Sequence, residues 1–273
     1  MAALILTAYD GRTLSAVRVG EQLARRLGLP QHVAVAYSHE PGATVGELGR
    51  AAENEQRFEA AEGALEALSL DPETTRSSLP AQGIAEGLLQ LAVELGAAAI
   101  VLAADRHGHV TREVLGHATC PVVVAPYDPL LLPDRLHAIG VAFDGSPASR
   151  FALTAARQLA SGTDARLDIV AVGHDAQHAT ALRRQVDEVA ASPGAEARGL
   201  VRRGHAADEL RRACEHLDLM VCGSRNRGAL LGALLGSVSS RLVDDPVSPV
   251  MVVPVRARRD GSEPMGLTIA TRT

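Results

Sequence analysis

The sequence predicts an α/β fold in which two five-stranded parallel sheets, each flanked by helices, follow one another along the chain. Three observations lead to this prediction: a length of 273 residues, alternating strand and helix patterns, and a sequence pattern that occurs twice. At roughly 100–150 residues per domain, the length suits two domains. Apolar residues make up 47% of the chain and aromatic residues only 2%. The predicted core is therefore built from Ala, Val, Leu and Ile, as in buried parallel strands.

The repeated pattern begins with two similar segments, residues 6–11 and 140–145. Each is an apolar run that ends in an aromatic residue followed by Asp-Gly. The two copies close on similar strands, residues 120–126 and 248–254, which share a Pro-Val-x-Val-x-Pro pattern. Similarity at both ends indicates that each copy is a complete structural unit.

Hydrophobic periodicity predicts strands and helices in alternation within each copy. Strands that alternate with helices of this length form right-handed βαβ units, so each sheet is expected to be parallel. The predicted strands are 3–9, 32–38, 73–79, 98–103 and 121–126, then 138–143, 167–172, 196–202, 218–222 and 249–253. The predicted helices are 13–27, 44–68, 84–96 and 109–117, then 147–161, 175–191, 206–216 and 237–244.

These patterns predict domains at 1–127 and 136–255, with a stiff linker between them and a flexible tail at 256–273. The closing strand of each copy is apolar, and an apolar sheet edge needs to be covered. Pairing of the two closing strands with each other could cover both edges and would make a pseudo-dimer within one chain. Two such chains could form a homodimer.

Composition argues against several classes of function. All 27 basic residues are Arg and the net charge is −5, so the chain offers no lysine for catalysis and no general attraction for nucleic acid. No apolar run is long enough for a membrane span. The three Cys lack the spacing of metal ligands, and reduced cysteines predict a cytoplasmic protein. His107, His109 and His117 lack a further ligand at suitable spacing, so no metal site is expected.

One glycine-rich segment of the second copy contains residues suited to binding a ligand. Gly223 follows the apolar strand of the second copy, and Gly236-Ser237 opens the next predicted helix. Ligands of parallel α/β sheets bind at the carboxyl ends of strands. Glycines allow backbone N–H groups to approach a phosphate, and a helix N-terminus adds free donors and a positive dipole. The spacing therefore predicts a phosphate-binding loop.

This segment resembles the ATP-binding loop of universal stress proteins, whose pattern is Gly, two residues, Gly, nine residues, Gly, then Ser or Thr. Gly223 takes the first place and Gly236-Ser237 the last, whereas Asn226 replaces the middle glycine. Asn tolerates left-handed backbone better than other residues with a side chain, so the turn can persist. The Asp-Gly and closing-strand motifs match as well. The resemblance extends over nearly the whole chain as two Rossmann-like domains.

Transferred residue by residue, the resemblance implies that the second copy binds ATP, possibly with Mg²⁺. Asp144 would lie beside the ribose or adenine, and Val172 would line the adenine slot. The implied phosphate contacts are Gly223, Asn226, Gly236, Ser237, Val238 and Ser239.

The first copy lacks the loop. Val101 precedes Gly108 by seven residues, whereas the matched Val221 precedes Gly236 by fifteen, so eight residues are missing. Asp105 would also place a negative charge near the phosphates. The first copy is not expected to bind ATP in this manner.

The resemblance implies a cytosolic regulatory protein of the stress response, which acts as a nucleotide-responsive switch toward an unknown protein partner. No catalytic triad and no general base near the loop are recognisable, so an efficient enzyme is not expected. Two alternatives stay open: an interaction scaffold that binds no nucleotide, and a slow ATPase. AMP or a cyclic nucleotide would suit much of the same slot.

Overall fold

The structure is a computed structural model that describes residues 3–39, 47–104, 108–128, 135–161, 164–193, 196–224 and 236–255, without the side chains of 47–50. Strands and helices alternate within each of the two repeated copies. The strands are β1 (Leu4–Ala8), β2 (Gln31–Ser38), β3 (Thr75–Ala81), β4 (Ala97–Ala103), β5 (Val122–Ala125), β6 (Ala138–Ala142), β7 (Arg166–Gly173), β8 (Ala197–Arg203), β9 (Leu219–Ser224) and β10 (Val250–Pro254). The helices are α1 (Ser15–Leu27), α2 (Glu47–Glu66), α3 (Ile84–Glu94), α4 (His109–His117), α5 (Pro147–Ala160), α6 (Ala176–Ala190), α7 (Ala206–Cys214) and α8 (Ser237–Asp244).

The strands form one continuous sheet in the order β3-β2-β1-β4-β5-β10-β9-β6-β7-β8. Neighbouring strands are parallel except at the centre, where β5 and β10 pair antiparallel and Val123 lies opposite Met251. The predicted α/β class is confirmed, and so is the pairing of the two closing strands. The two predicted five-stranded sheets are thus the first half (β1–β5) and the second half (β6–β10) of a single sheet.

Helices cover both faces of the sheet. Helices α1, α5 and α6 pack on one face around a core that contains Ile5 of the first half and Val141 of the second. Helices α3, α4, α7 and α8 pack on the other face, where Ile100 and Met220 are buried in one cluster. Each of these two cores therefore extends across the junction between the halves. Helix α2 covers a smaller cluster that contains Val33 and Leu65.

The predicted boundaries agree with the structure to within a few residues, and β3 shows why they differ. The strand begins at Thr75 rather than 73, because a turn that begins at Asp71 precedes it. The Asp71 carbonyl accepts the Thr74 N–H at 2.9 Å, and its carboxylate accepts the Glu73 N–H at 3.0 Å. The predicted start of the second helix at 44, most of the linker and the tail lie outside the described residues.

The repeated Asp-Gly motif forms the same turn in both halves. Gly11 and Gly145 have φ of 74° and 77°, in the left-handed region that glycine adopts without strain. Asp10 accepts the Arg12 N–H at 2.9 Å, and Asp144 accepts the Ser146 N–H at 3.0 Å. The turn brings the chain from the carboxyl end of the first strand of each half to the helix that follows it.

Candidate functional site

A cavity of about 440 Å³ opens at the carboxyl edge of the second half, within the roughly 300–1,000 Å³ of small-molecule sites. The ends of β6, β7 and β9 and the N-termini of α5, α7 and α8 contribute to its wall. Asn226 lies outside the described residues. The other seven predicted site residues all line this cavity: Asp144, Val172, Gly223, Gly236, Ser237, Val238 and Ser239.

Gly223 sits where β9 passes closest to the first turn of α5. A Cβ atom at this position would lie 2.2 Å from the carbonyl oxygen of Ala148, far inside van der Waals contact. Only glycine fits there without displacing the helix. The glycine in the predicted loop motif is therefore required for the approach of strand and helix, as well as being suited to a ligand.

Among the helices whose N-terminal residues border the cavity, α8 is the one best suited to receive an anion. Helices α5 and α6 have their first N–H groups capped by the side chains of Ser146 and Asp175, and α7 carries Asp208 and Glu209 in its first turn. Helix α8 begins at Ser237 after the N-cap Gly236, with no side-chain cap among the described residues and no acidic residue in its first turn. Its early N–H groups and positive dipole end therefore face the cavity without a local negative charge.

The wall opposite these polar groups is apolar. Val172 and Val170 on β7, Leu210 on α7 and Cys222 on β9 contribute to it. Burial raises the pKa of the Cys222 thiol, so this side chain is neutral and behaves as a small apolar group. An apolar slot beside a polar rim suits a flat aromatic ring joined to a charged group.

Sequence reasoning missed three histidines that border the cavity: His174, His178 and His205. His205 lies just before α7, 3.3 Å from Asp208 and 3.5 Å from a guanidinium nitrogen of Arg241 on α8. This contact connects the residue before α7 to the middle of α8. His174 and His205 follow β7 and β8 within two residues, and these positions were the available signal, because the carboxyl ends of parallel strands meet at one edge.

The equivalent edge of the first half is built differently. Ala103 pairs with Ala125 of β5 as Gly223 pairs with Val253 of β10, so Ala103 occupies the place of Gly223. A residue with a Cβ therefore stands where the second half requires glycine.

A chain segment also contacts this edge in the first half. The carbonyl oxygen of Tyr127, which follows β5, accepts hydrogen bonds from the hydroxyls of Thr13 at 2.6 Å and Ser15 at 3.1 Å. These residues lie at the start of α1, the counterpart of α5. Tyr127 thus occupies hydrogen-bonding groups at the position where the second half leaves a cavity.

Comparison with known proteins agrees with this architecture. Residues 173–254 match the model of the universal stress protein family. A universal stress protein of Mycolicibacterium smegmatis is 32% identical over 162 residues, which cover 54% of this chain and 55% of that protein. A solved universal stress protein of Archaeoglobus fulgidus has a TM-score of 0.66 at 18% identity, with 92% of this chain and 98% of that chain covered. A solved putative universal stress protein of Pseudomonas aeruginosa has a TM-score of 0.63 at 18% identity, with 93% of each covered.

Residues 173–254 are thus similar to the universal stress protein family, and the two solved structures show the same fold over both halves. The chain spans a little more than half the length of the Mycolicibacterium relative. Within the described ranges, no helix is both long and apolar enough to cross a membrane.

Proposed function

We propose that the protein is a cytosolic regulator of the stress response whose second half binds one ATP, possibly with Mg²⁺, and whose two halves are tandem domains. The observation that carries this proposal is the gathering around one cavity of seven residues that the resemblance to universal stress proteins implied. They come from the ends of three strands and the start of α8. The proposed role is binding and signalling, not turnover.

The geometry supports a definite orientation of the nucleotide. The base would lie against Val172 and the apolar wall, and the ribose hydroxyls would donate to the carboxylate of Asp144. The phosphates would lie at the N-terminus of α8, near Ser237 and Ser239, where the helix dipole favours negative charge. Occupation of this site would change the surface offered to a protein partner.

Two aspartates give a matched test of this proposal. Asp10 and Asp144 make the same kind of turn in the two halves, but only Asp144 borders the cavity. Calorimetric titration with ATP and Mg²⁺ should give one site per chain in the wild type and in Asp10→Ala. In Asp144→Ala the affinity should fall at least tenfold, because about 1.4 kcal/mol or more of hydrogen bonding is lost.

The results of these titrations distinguish a nucleotide-binding protein from an interaction scaffold. Absence of binding in the wild type would contradict the proposal and leave an interaction scaffold of the same fold. Equal affinity in the two aspartate variants would place any nucleotide elsewhere. Repeating the titration with AMP and cyclic AMP identifies which adenine nucleotide the site prefers.

A further inference from the structure

A pair of imidazoles lies at the junction of β7 and α6, outside the nucleotide contacts proposed above. The Nδ1 atoms of His174 and His178 are 2.7 Å apart, and the ring centroids are 4.5 Å apart. Gly173 makes this approach possible, because a Cβ there would lie 2.5 Å from the backbone nitrogen of Ala179. The strand end and the first helical turn therefore hold the two rings together at the cavity border.

Asp175, between the two histidines, fixes their orientation. As the N-cap of α6 it accepts the backbone N–H of His178 at 2.7 Å through Oδ1, and its Oδ2 lies 3.2 Å from Nε2 of His174. An ionised carboxylate beside Nε2 favours the His174 tautomer that carries its proton on Nε2.

With that tautomer, Nδ1 of His174 presents a lone pair to Nδ1 of His178. Nδ1 of His178 lies 2.7 Å from that lone pair, so a proton on Nδ1 of His178 makes a hydrogen bond to His174. A metal ion that replaces this proton would have a lone pair from each ring directed at it. Metal–imidazole bonds of about 2.0–2.1 Å would require the nitrogens to be about 3 Å apart, a small opening for exposed rings.

We propose that His174 and His178 bind a divalent transition metal ion through their Nδ1 atoms, with Asp175 as the carboxylate that orients His174. In such sites the ring nitrogen of a ligating histidine that does not bind the metal commonly donates a hydrogen bond to a carboxylate. Imidazole nitrogen selects ions such as Zn²⁺ or Ni²⁺ over Mg²⁺. Among the described residues no group of three His, Cys, Asp or Glu side chains is placed to hold a metal, so water or a ligand in the cavity completes the coordination. Only the ligand in the cavity depends on the proposed function; metal binding by the two histidines does not.

Titration of the full chain with Ni²⁺, in the absence of nucleotide and of any histidine tag, tests the metal site. The wild type should bind one Ni²⁺ per chain, and His174→Gln and His178→Gln should each weaken binding at least tenfold. Asp175→Asn keeps a residue that caps the helix and removes the carboxylate, and it should weaken binding by about tenfold. His137→Gln is the matched control, because His137 lies 3.4 Å from Asp164 without a second imidazole; its Ni²⁺ affinity should equal that of the wild type.

Electron spin echo of the Cu²⁺-loaded protein gives an independent count of ligands. Modulation from two imidazoles that falls to one in His178→Gln supports the site. Unchanged Ni²⁺ affinity in both glutamine variants, or no Ni²⁺ binding by the wild type, would show that the pair shares only a proton. Failure of ATP binding with intact Ni²⁺ binding would overturn the proposed function alone, and the reverse result would overturn the metal site alone.

Discussion

Gly223 and Ala148 are so close that a side chain at position 223 would meet the carbonyl oxygen of residue 148 at 2.2 Å. The contact joins the end of β9 to the first turn of α5, and both border the cavity. The conformation of this wall therefore depends on the absence of a Cβ atom at position 223. The effect of adding a Cβ on protein stability can be separated from its effect on ligand binding.

Gly223→Ala should lower the free energy of unfolding by about 1–3 kcal/mol, because the strand or helix must shift to admit the Cβ. Chemical denaturation followed by circular dichroism measures the change. Gly236→Ser is the control, since a Cβ at 236 meets nothing within 4 Å among the described atoms and Ser is a good N-cap. A Gly223→Ala protein as stable as the Gly236→Ser protein would contradict the steric argument.

The buried carboxylate of Asp168 should contribute to the stability of the outer strands of the second half. Asp168 on β7 lies opposite Arg198 on β8, which donates from Nε at 3.1 Å and from Nη2 at 2.9 Å, and Arg166 adds a third bond at 3.2 Å. Because both arginines are half-exposed, Asp168→Asn should cost about 1–3 kcal/mol of unfolding free energy, less than a fully buried pair.

The control for Asp168 is an exposed ion pair. Asp245 contacts Arg211 at 2.8 Å, but 82% of its side chain is exposed. Asp245→Asn should change the unfolding free energy by less than about 0.5 kcal/mol. Equal effects of the two substitutions in urea denaturation would show that burial of Asp168 has no energetic importance.

The stability of the protein should decrease on mild acidification because of His32. Its ring is buried between the hydroxyls of Thr75 at 2.7 Å and Ser77 at 2.9 Å, and burial lowers its pKa in the folded state. The unfolded chain then binds a proton that the folded chain does not. Stability is therefore complete above the ordinary histidine pKa of about 6.5, and it falls as the pH drops below that value towards the folded pKa.

Urea denaturation between pH 7.5 and 5.5 measures this effect of His32. His32→Gln should reduce the slope of stability against pH, although the variant is less stable at neutral pH. Titration of the His32 ring by NMR should give a pKa below 6.5 in the folded protein. Identical slopes in the two proteins would assign the acid sensitivity to other groups.

The rates at which the cysteines react with a thiol reagent should show which of them are buried in the core. Burial raises the pKa of Cys214 to about 11 and that of Cys222 as well, whereas Cys120 is only partly buried. At pH 8 roughly one Cys214 thiol in a thousand would be ionised, so Ellman's reagent should react first with Cys120. Cys120→Ser should remove the fast phase. A fast phase that persists in this variant would show that the cavity admits the reagent to Cys222.

Much of this molecule could be predicted from its sequence because the information is local. The Asp-Gly turns and the apolar strands each lie within a few residues, and the glycine motif lies within residues 223–237. These patterns led to the fold class, and the resemblance to universal stress proteins implied the seven described residues that line one cavity. Whether those residues bind a nucleotide stays a prediction, and Asn226 lies outside the described residues.

The rest depends on contacts between distant parts of the chain. Gly223 is close to Ala148 only because β9 and α5 are neighbours in the fold, and Tyr127 reaches Thr13 across 114 positions of sequence. His174 and His178 are only four residues apart, but their facing nitrogens result from the end of β7 and the cap of α6. The sequence shows which residues these are, and the fold determines which atoms meet.

The antiparallel pairing of β5 with β10 removes a constraint that applies to symmetric assemblies. In a homodimer joined through its last strands, every substitution occurs twice, so one subunit cannot lose its ligand loop while the other keeps it. Here the two halves are encoded separately, and each can diverge without the other. The junction is also covalently linked, so dilution cannot separate the halves, and the shape of the cavity wall should not depend on protein concentration.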